Sequence, residues 1–264
     1  MPRSVFWGMI RRVREISISL CGLLGAFCGQ CAVGSGARGD LPSVMELQQL
    51  HAKANGGLAN IQALNSLVAF GVITKADGES LDFKLYKKRP ARMRLSVDIA
   101  QGEMLKVFDG NRGFQVFSRR GEKAEVVEMD AAESARLRLD SSIDGLFFQL
   151  RSRPEWLEVV AEVEVDGVPA YEVAIGDEAE SSYDRLWLGR EHAQEVKLSR
   201  HWQSEDGGEV VEEIYFSEFE QVNGVWFARL SRIMRGGELM QTLRIDRVRA
   251  NAGIFDSYFR RPKP

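Results

Sequence analysis

Asp82-Phe83-Lys84-Leu85-Tyr86-Lys87 and, after a four-residue gap, Arg92-Met93-Arg94-Leu95-Ser96-Val97-Asp98 alternate apolar with polar side chains. Successive side chains leave a strand on opposite sides, so period two marks a strand with one face in a core and the other in water. The same alternation recurs outward from this pair. It predicts strands at about 66–74, 103–108, 113–118 and 123–128, then 156–165, 169–176, 183–189, 195–203, 209–218, 225–235 and 238–249. Between them stand Asp77-Gly78, Asp109-Gly110, Asp166-Gly167, Asp206-Gly207, Asn223-Gly224 and Gly236-Gly237. Such dipeptides supply the positive φ angles of tight hairpins.

Two helical stretches interrupt this pattern. Ser43 and Glu46 have the spacing of a capping box, which predicts a helix from Val44 to about Ala54, ended by Asn55-Gly56-Gly57. A short second helix follows to about Leu64. Within the strand series, Asp130 and Glu133 cap a helix to about Leu139, and Asp140-Ser141-Ser142 open another that stops near Pro154. In that second segment Ile143, Leu146, Phe147 and Leu150 fall at i, i+3, i+4 and i+7, one face of a helix, and Phe148 widens it. The order predicts an α+β fold in which a curved antiparallel sheet is covered by short helices, the N-terminal ones and the 130–152 insert. A long antiparallel sheet twists and curls, and its concave side must be covered.

The 264 residues carry a formal net charge of −3 and no basic block, which argues against nucleic acid as a partner. All three cysteines, Cys21, Cys28 and Cys31, lie near the N-terminus. There Arg3, Arg11, Arg12 and Arg14 precede an apolar run to about Val33, and Ala32-Val33-Gly34 suits cleavage before Ser35. Residues 1–34 therefore read as a signal peptide and 35–42 as a linker. An uncleaved anchor, or a lipid on one of the cysteines, is the alternative. Phe27 before Cys28 and Gln30 before Cys31 fit a lipobox poorly. Without cysteines after position 34, neither a disulfide nor a thiol nucleophile is expected there.

No catalytic pattern accompanies the strands. Gly34, Gly36 and Gly39 spell G-x-G-x-x-G, but a leader precedes them where a dinucleotide site needs a strand. His51, His192 and His201 share no metal-ligand spacing and are expected at surfaces or interfaces. No nucleophile elbow occurs. Glu155, Glu158, Glu162 and Glu164, and likewise Glu209, Glu212 and Glu213, read as solvated strand faces. The expectation is a non-enzyme without cofactor or metal.

Five stretches, in order, resemble the LolA/LolB-like periplasmic lipoprotein-carrier superfamily and its outer-membrane lipoprotein-sorting relatives. They are residues 51–67 (helix, Gly-Gly turn, helix, first strand), Phe108-Asp109-Gly110 through Val116, Val165-Asp166-Gly167 through Val173, Phe219 through Phe227 around Asn223-Gly224-Val225, and Ile245 through Phe259. Ala228 stands where the family has proline. The resemblance spans about 44–262 and implies one domain, 43–264, a half-closed β-barrel with a helical lid over an apolar cavity. It also implies periplasmic localisation in a Gram-negative envelope and a role in holding lipid or the acyl chains of lipoproteins. The alternative is an envelope sensor or interaction module of the same fold, with envelope membrane proteins as partners. Candidate cavity residues are Phe83, Leu85, Met93, Leu95 and Val97 on the early strands, Ile143, Leu146, Phe147 and Leu150 in the insert, and Val173, Leu186, Leu188, Val196 and Leu198 on the later strands. The same apolar faces also suit an ordinary filled core.

Overall fold

The strand alternation closes into a single sheet. In the computed structural model, which describes residues 41–262 apart from 180, 205 and 206, thirteen strands form one antiparallel sheet. They are β1 (Ser66–Lys75), β2 (Ser80–Lys88), β3 (Arg92–Ile99), β4 (Gly102–Phe108), β5 (Gly113–Arg119), β6 (Glu125–Glu128), β7 (Leu157–Val165), β8 (Val168–Ile175), β9 (Arg185–Gly189), β10 (Glu195–Gln203), β11 (Glu209–Val222), β12 (Val225–Arg235) and β13 (Glu238–Ala250). The expected signal peptide and most of the linker lie outside the described residues, as do the three cysteines and Asp206. No described helix is long and apolar enough to cross a membrane.

The spatial order is β6-β5-β4-β3-β2-β1-β13-β12-β11-β10-β9-β8-β7. Two hairpin ladders, β1–β6 and β7–β13, meet where β1 pairs β13. The tight turns form as their residues require. Asp166-Gly167, Asn223-Gly224 and Gly236-Gly237 each hold both central residues at positive φ, the geometry that matches strand twist. The seam contains one irregularity, a register shift between Phe70 and Gly71. A Cβ at Gly71 would lie 1.9 Å from the Arg244 carbonyl oxygen, so only glycine permits this strand approach.

β6 and β7 are consecutive strands placed at opposite edges of the sheet. Thirteen strands laid flat would span about 58 Å at the usual spacing. The link between these edges includes α3 (Ala131–Ser141), which advances only about 16 Å. The half-barrel curvature lets this link cross the concave face. Its side chains record the crossing. Leu137 and Ile143 pack with Phe83, Leu85, Met93, Leu95 and Val97 of the first wing. Leu146, Phe147 and Leu150 pack with Val173, Leu186, Leu188 and Leu198 of the second. At the N-terminus, α1 (Val44–Ala54) has the expected capping box, with Ser43 N donating to Glu46 at 2.7 Å and Glu46 N to Ser43 Oγ at 3.2 Å. α1 joins the second wing through Leu47, and α2 (Leu58–Gln62) follows it.

The structure redraws the insert. A helix from Asp140 to near Pro154 is expected, but α3 runs to Ser141 and the chain is extended at Ser142. Helix resumes only over α4 (Leu146–Gln149), followed by a 3-10 turn at Leu150–Ser152. Tertiary polar bonds explain the break. Lys87 Nζ donates to the Ser142 carbonyl at 2.7 Å, and Arg89 grips the Asp144 carboxylate at 2.6 and 2.7 Å. The apolar stripe at i, i+3, i+4 and i+7 therefore divides between two wings instead of lining one helix. A smaller difference is β11, which continues past 218 to Val222 in unbroken register with β12, with Glu218 at a positive φ.

Gly71→Ala is expected to cost about 2 kcal/mol or more in urea unfolding, since the seam must shift to admit the methyl. Gly78→Ala, at an open turn, is expected to cost less. Equal losses would show that the seam is not tightly built.

Candidate functional site

The segment 142–152 is a flap over the apolar wall of the second wing, held by polar bonds at its near end and in its middle. Arg89 fastens the near end. Besides Asp144, its guanidinium donates to the carbonyls of Leu64 (2.6 Å) and Ile61 (3.1 Å), so it ties the flap to the end of α2. The middle is seated by Glu195. Its Oε1 accepts from Phe147 N at 2.6 Å, at the start of α4. Gly145 allows this contact, because a Cβ there would lie 2.4 Å from Glu195 Oε1.

Glu195 is 1% exposed and its Oε2 has no protein partner. Burial pushes its carboxyl up to about 8, against the lowering effect of the Phe147 and Leu146 amides. The flap is thus held by an acid that keeps its proton near neutral pH. Alternation places Val196 on the concave face and Glu195 outside. A register shift between Glu195 and Lys197 inverts that order. As a result Val196 packs on the other face with Val165, Ala170 and Trp187, and it is corrected from the set of candidate cavity residues. The other thirteen candidates divide between the two concave clusters as described, all of them buried.

A polar belt runs between these clusters. Lys87 is fully buried, as is Glu212, which pairs with Arg200 and, at 3.0 Å, with Arg235. Asp140 of α3 sits among them. Burial pushes its carboxyl up to about 6, opposed by Lys87, Arg200 and Lys106. Burial also draws the Lys106 ammonium below its usual range. Glu212 was expected on a solvated face and is instead an interior ion-pair centre. Of the others expected there, Glu155, Glu158, Glu162, Glu164 and Glu209 are exposed, and half-buried Glu213 pairs with Lys197 at 2.6 Å.

Beside the flap lies an opening of about 400 Å³, bounded by Met45, Gln48, His51 and Leu58 of the N-terminal helices and by Phe147 and Phe148. Met45 and Leu58 leave large apolar surface in water, at 60% and 50% exposure. His51, expected at a surface or interface, is 1% exposed. Its Nδ1 donates to the Ala193 carbonyl at 2.9 Å, and its ring meets Phe147 edge-on at 5.7 Å. Burial lowers its basicity, so the ring is neutral. His192 lies in a turn beside Glu191, and exposed His201 pairs with Asp184. Sequence reasoning missed Gln48 and Glu195. The i, i+3 spacing of Gln48 and His51 on α1 was a readable signal for the first pair, whereas the bulge that turns Glu195 inward left none.

This architecture has solved counterparts. A DUF1329 family protein from Desulfovibrio piger superposes with TM-score 0.54 at 16% identity, covering 83% of this chain and 98% of that one. The chain shares that protein's fold. A LolA superfamily protein from Nitrosomonas europaea gives TM-score 0.54 at 10% identity, over 83% of this chain and 98% of that one. A domain from Vibrio parahaemolyticus, named for outer-membrane lipoprotein sorting, gives 0.50 at 13%, over 81% and 95%. No protein-family model matches the sequence, and no curated protein does.

Glu195 has a testable signature. Its folded-state affinity for protons exceeds the ordinary carboxylate value of 4.5, so the native state holds a proton that the unfolded chain releases. Stability should therefore fall as pH rises from about 4.5 to about 8 and level off above that. Glu195→Gln, which keeps the acceptor for Phe147 N, should flatten this decline and raise stability at pH 8 by a few kcal/mol, measured by urea unfolding across the range. An unchanged pH profile would show that Glu195 is ionised in place.

Proposed function

We propose that this chain binds lipid or the acyl chains of lipoproteins on the concave face of the half-barrel, as a carrier or binding protein of a Gram-negative periplasm. On this reading residues 1–34 are a signal peptide, 35–42 a linker and 43–264 one binding domain. The observation that carries it is the flap. Leu146, Phe147 and Leu150 occupy the apolar wall formed by Val173, Leu186, Leu188 and Leu198, held there by that packing and by the bonds of Lys87, Arg89 and Glu195 to a segment with only one short helical turn. An acyl chain presents the same kind of surface as those three side chains and can replace them. The fold shared with the lipoprotein-sorting domain and the LolA superfamily protein supports the same reading.

The energetics follow from area. Each buried methylene gains about 0.8 kcal/mol, so a chain of about 14–16 carbons gains on the order of ten before binding entropy and flap displacement are subtracted. Binding of this kind selects for chain length and weakly for identity. The chain does not need catalytic groups for it, and the proposal is of binding without chemistry.

The full chain, stripped of lipid, is expected to take up a fluorescent fatty acid, and native mass spectrometry is expected to find lipid on the unstripped protein. Phe147→Ala removes the side chain that competes for the wall and should tighten uptake by roughly tenfold, with the fold checked by circular dichroism. Absence of uptake by well-folded protein, with no lipid on the native preparation, would end the proposal and leave the interaction-module alternative.

A further inference from the structure

The opening between α1 and the flap has an apolar rim and two buried nitrogen atoms without protein partners, Gln48 Nε2 and His51 Nε2. Both residues line the opening and lie three positions apart on one helix, hence on one face. A buried polar atom left unpaired costs about 1–3 kcal/mol, so two of them beside one opening call for a shared partner. Their chemistry is opposite. The His51 ring spends its N–H on the Ala193 carbonyl through Nδ1, which leaves Nε2 as an acceptor in the neutral ring. Gln48 Nε2 is a donor. The pair therefore matches a group that accepts one hydrogen bond and donates another through adjacent atoms.

The rest of the opening selects what carries that group. Met45, Leu58, Phe147 and Phe148 make the walls apolar. At the rim, the Arg151 guanidinium lies 4.0 Å over the Phe148 ring, and its Nη1 donates to the Phe148 carbonyl at 2.9 Å. A cation at the mouth favours an electron-rich head. We infer that this opening seats the first carbon of an acyl chain that bears both a carbonyl oxygen and an O–H or N–H: the oxygen accepts from Gln48 Nε2, and the O–H or N–H donates to His51 Nε2. Two sources present this chemistry, a fatty acid in its protonated form and the amide of an N-acylated terminus. An ester presents only half of it. The inference rests on the acyl-binding reading above and adds to it a head-group site that would give the carrier orientation as well as affinity.

The experiment is displacement of the fluorescent fatty acid from the full chain by dodecanoic acid, N-methyldodecanamide and methyl dodecanoate. The amide, or the acid at a pH low enough to keep it protonated, should bind roughly ten- to a hundredfold more tightly than the ester, and whichever is tighter names the source. His51→Phe removes the acceptor that the ester cannot use and should abolish the preference while leaving ester binding unchanged, with thermal unfolding followed in parallel because it also removes the bond to Ala193. Gln48→Met, which retains length and leaves that bond untouched, removes the donor to the carbonyl oxygen that all three compounds carry and should weaken all three alike. If all three compounds bind the unaltered chain equally, a water molecule satisfies Gln48 and His51 and the head-group site is wrong, although acyl binding stands. If none displaces the probe and the probe itself does not bind, the acyl-binding reading falls and this inference falls with it.

Discussion

Two strands adjacent in sequence, β6 and β7, occupy the opposite edges of a thirteen-stranded sheet. That constraint organises the molecule. A hairpin cannot join them, so the link must traverse the concave face, and whatever lies under it is enclosed. The interior holds two apolar clusters, one spanning β1–β4 and the seam strands β12 and β13, the other mostly on β8–β12, with side chains of the link in both. In an ordinary sheet-and-helix protein the covering element is free to be a long amphipathic helix. Here it must bend midway to reach two wings, and the bend falls where Lys87 and Arg89 of β2 and the residues after it take hold of Ser142 and Asp144.

The polar belt makes sense in the same terms. Burying Lys87 and Glu212 removes them from water, and attraction to Asp140, Arg200 and Arg235 offsets that cost without adding much stability. Their positions matter more. Lys87 and Lys106 come from the first wing, Arg200, Glu212 and Arg235 from the second, and Asp140 from the link. An apolar contact tolerates sliding, whereas a buried charge tolerates few placements. The belt thus fixes where the link crosses, and it separates the two oily compartments.

Most of the sheet was legible because alternation and turn chemistry act locally. The Asn223-Gly224 and Asp166-Gly167 hairpins follow from residues that adopt positive φ readily, and the capping box of α1 from two side chains three apart. The failures are where distant groups decide. Nothing near Ser142 announces that a lysine 55 residues away will claim its carbonyl, so the helix break was hidden. The bulge at Glu195–Lys197 shifts the inward set by one residue, which moved Val196 out and brought in a carboxyl that the alternation had assigned to water. Of the site, the apolar wall was readable from pattern alone. Its polar fittings, Glu195 and the Gln48–His51 pair, depend on packing across the fold.

The seam between β1 and β13 carries a consequence for how the polypeptide acquires its shape. Each wing is a ladder of neighbours, assembled through short loops. The ladders are stitched together by a pairing such as Leu67 with Ala250, which joins the first strand to the last. Closing so large a loop is slow relative to forming hairpins. Until it happens, the nascent molecule is two partial sheets, each with a bare margin able to recruit a stranger. A cell that makes this protein gains from shielding it until its final strand has emerged.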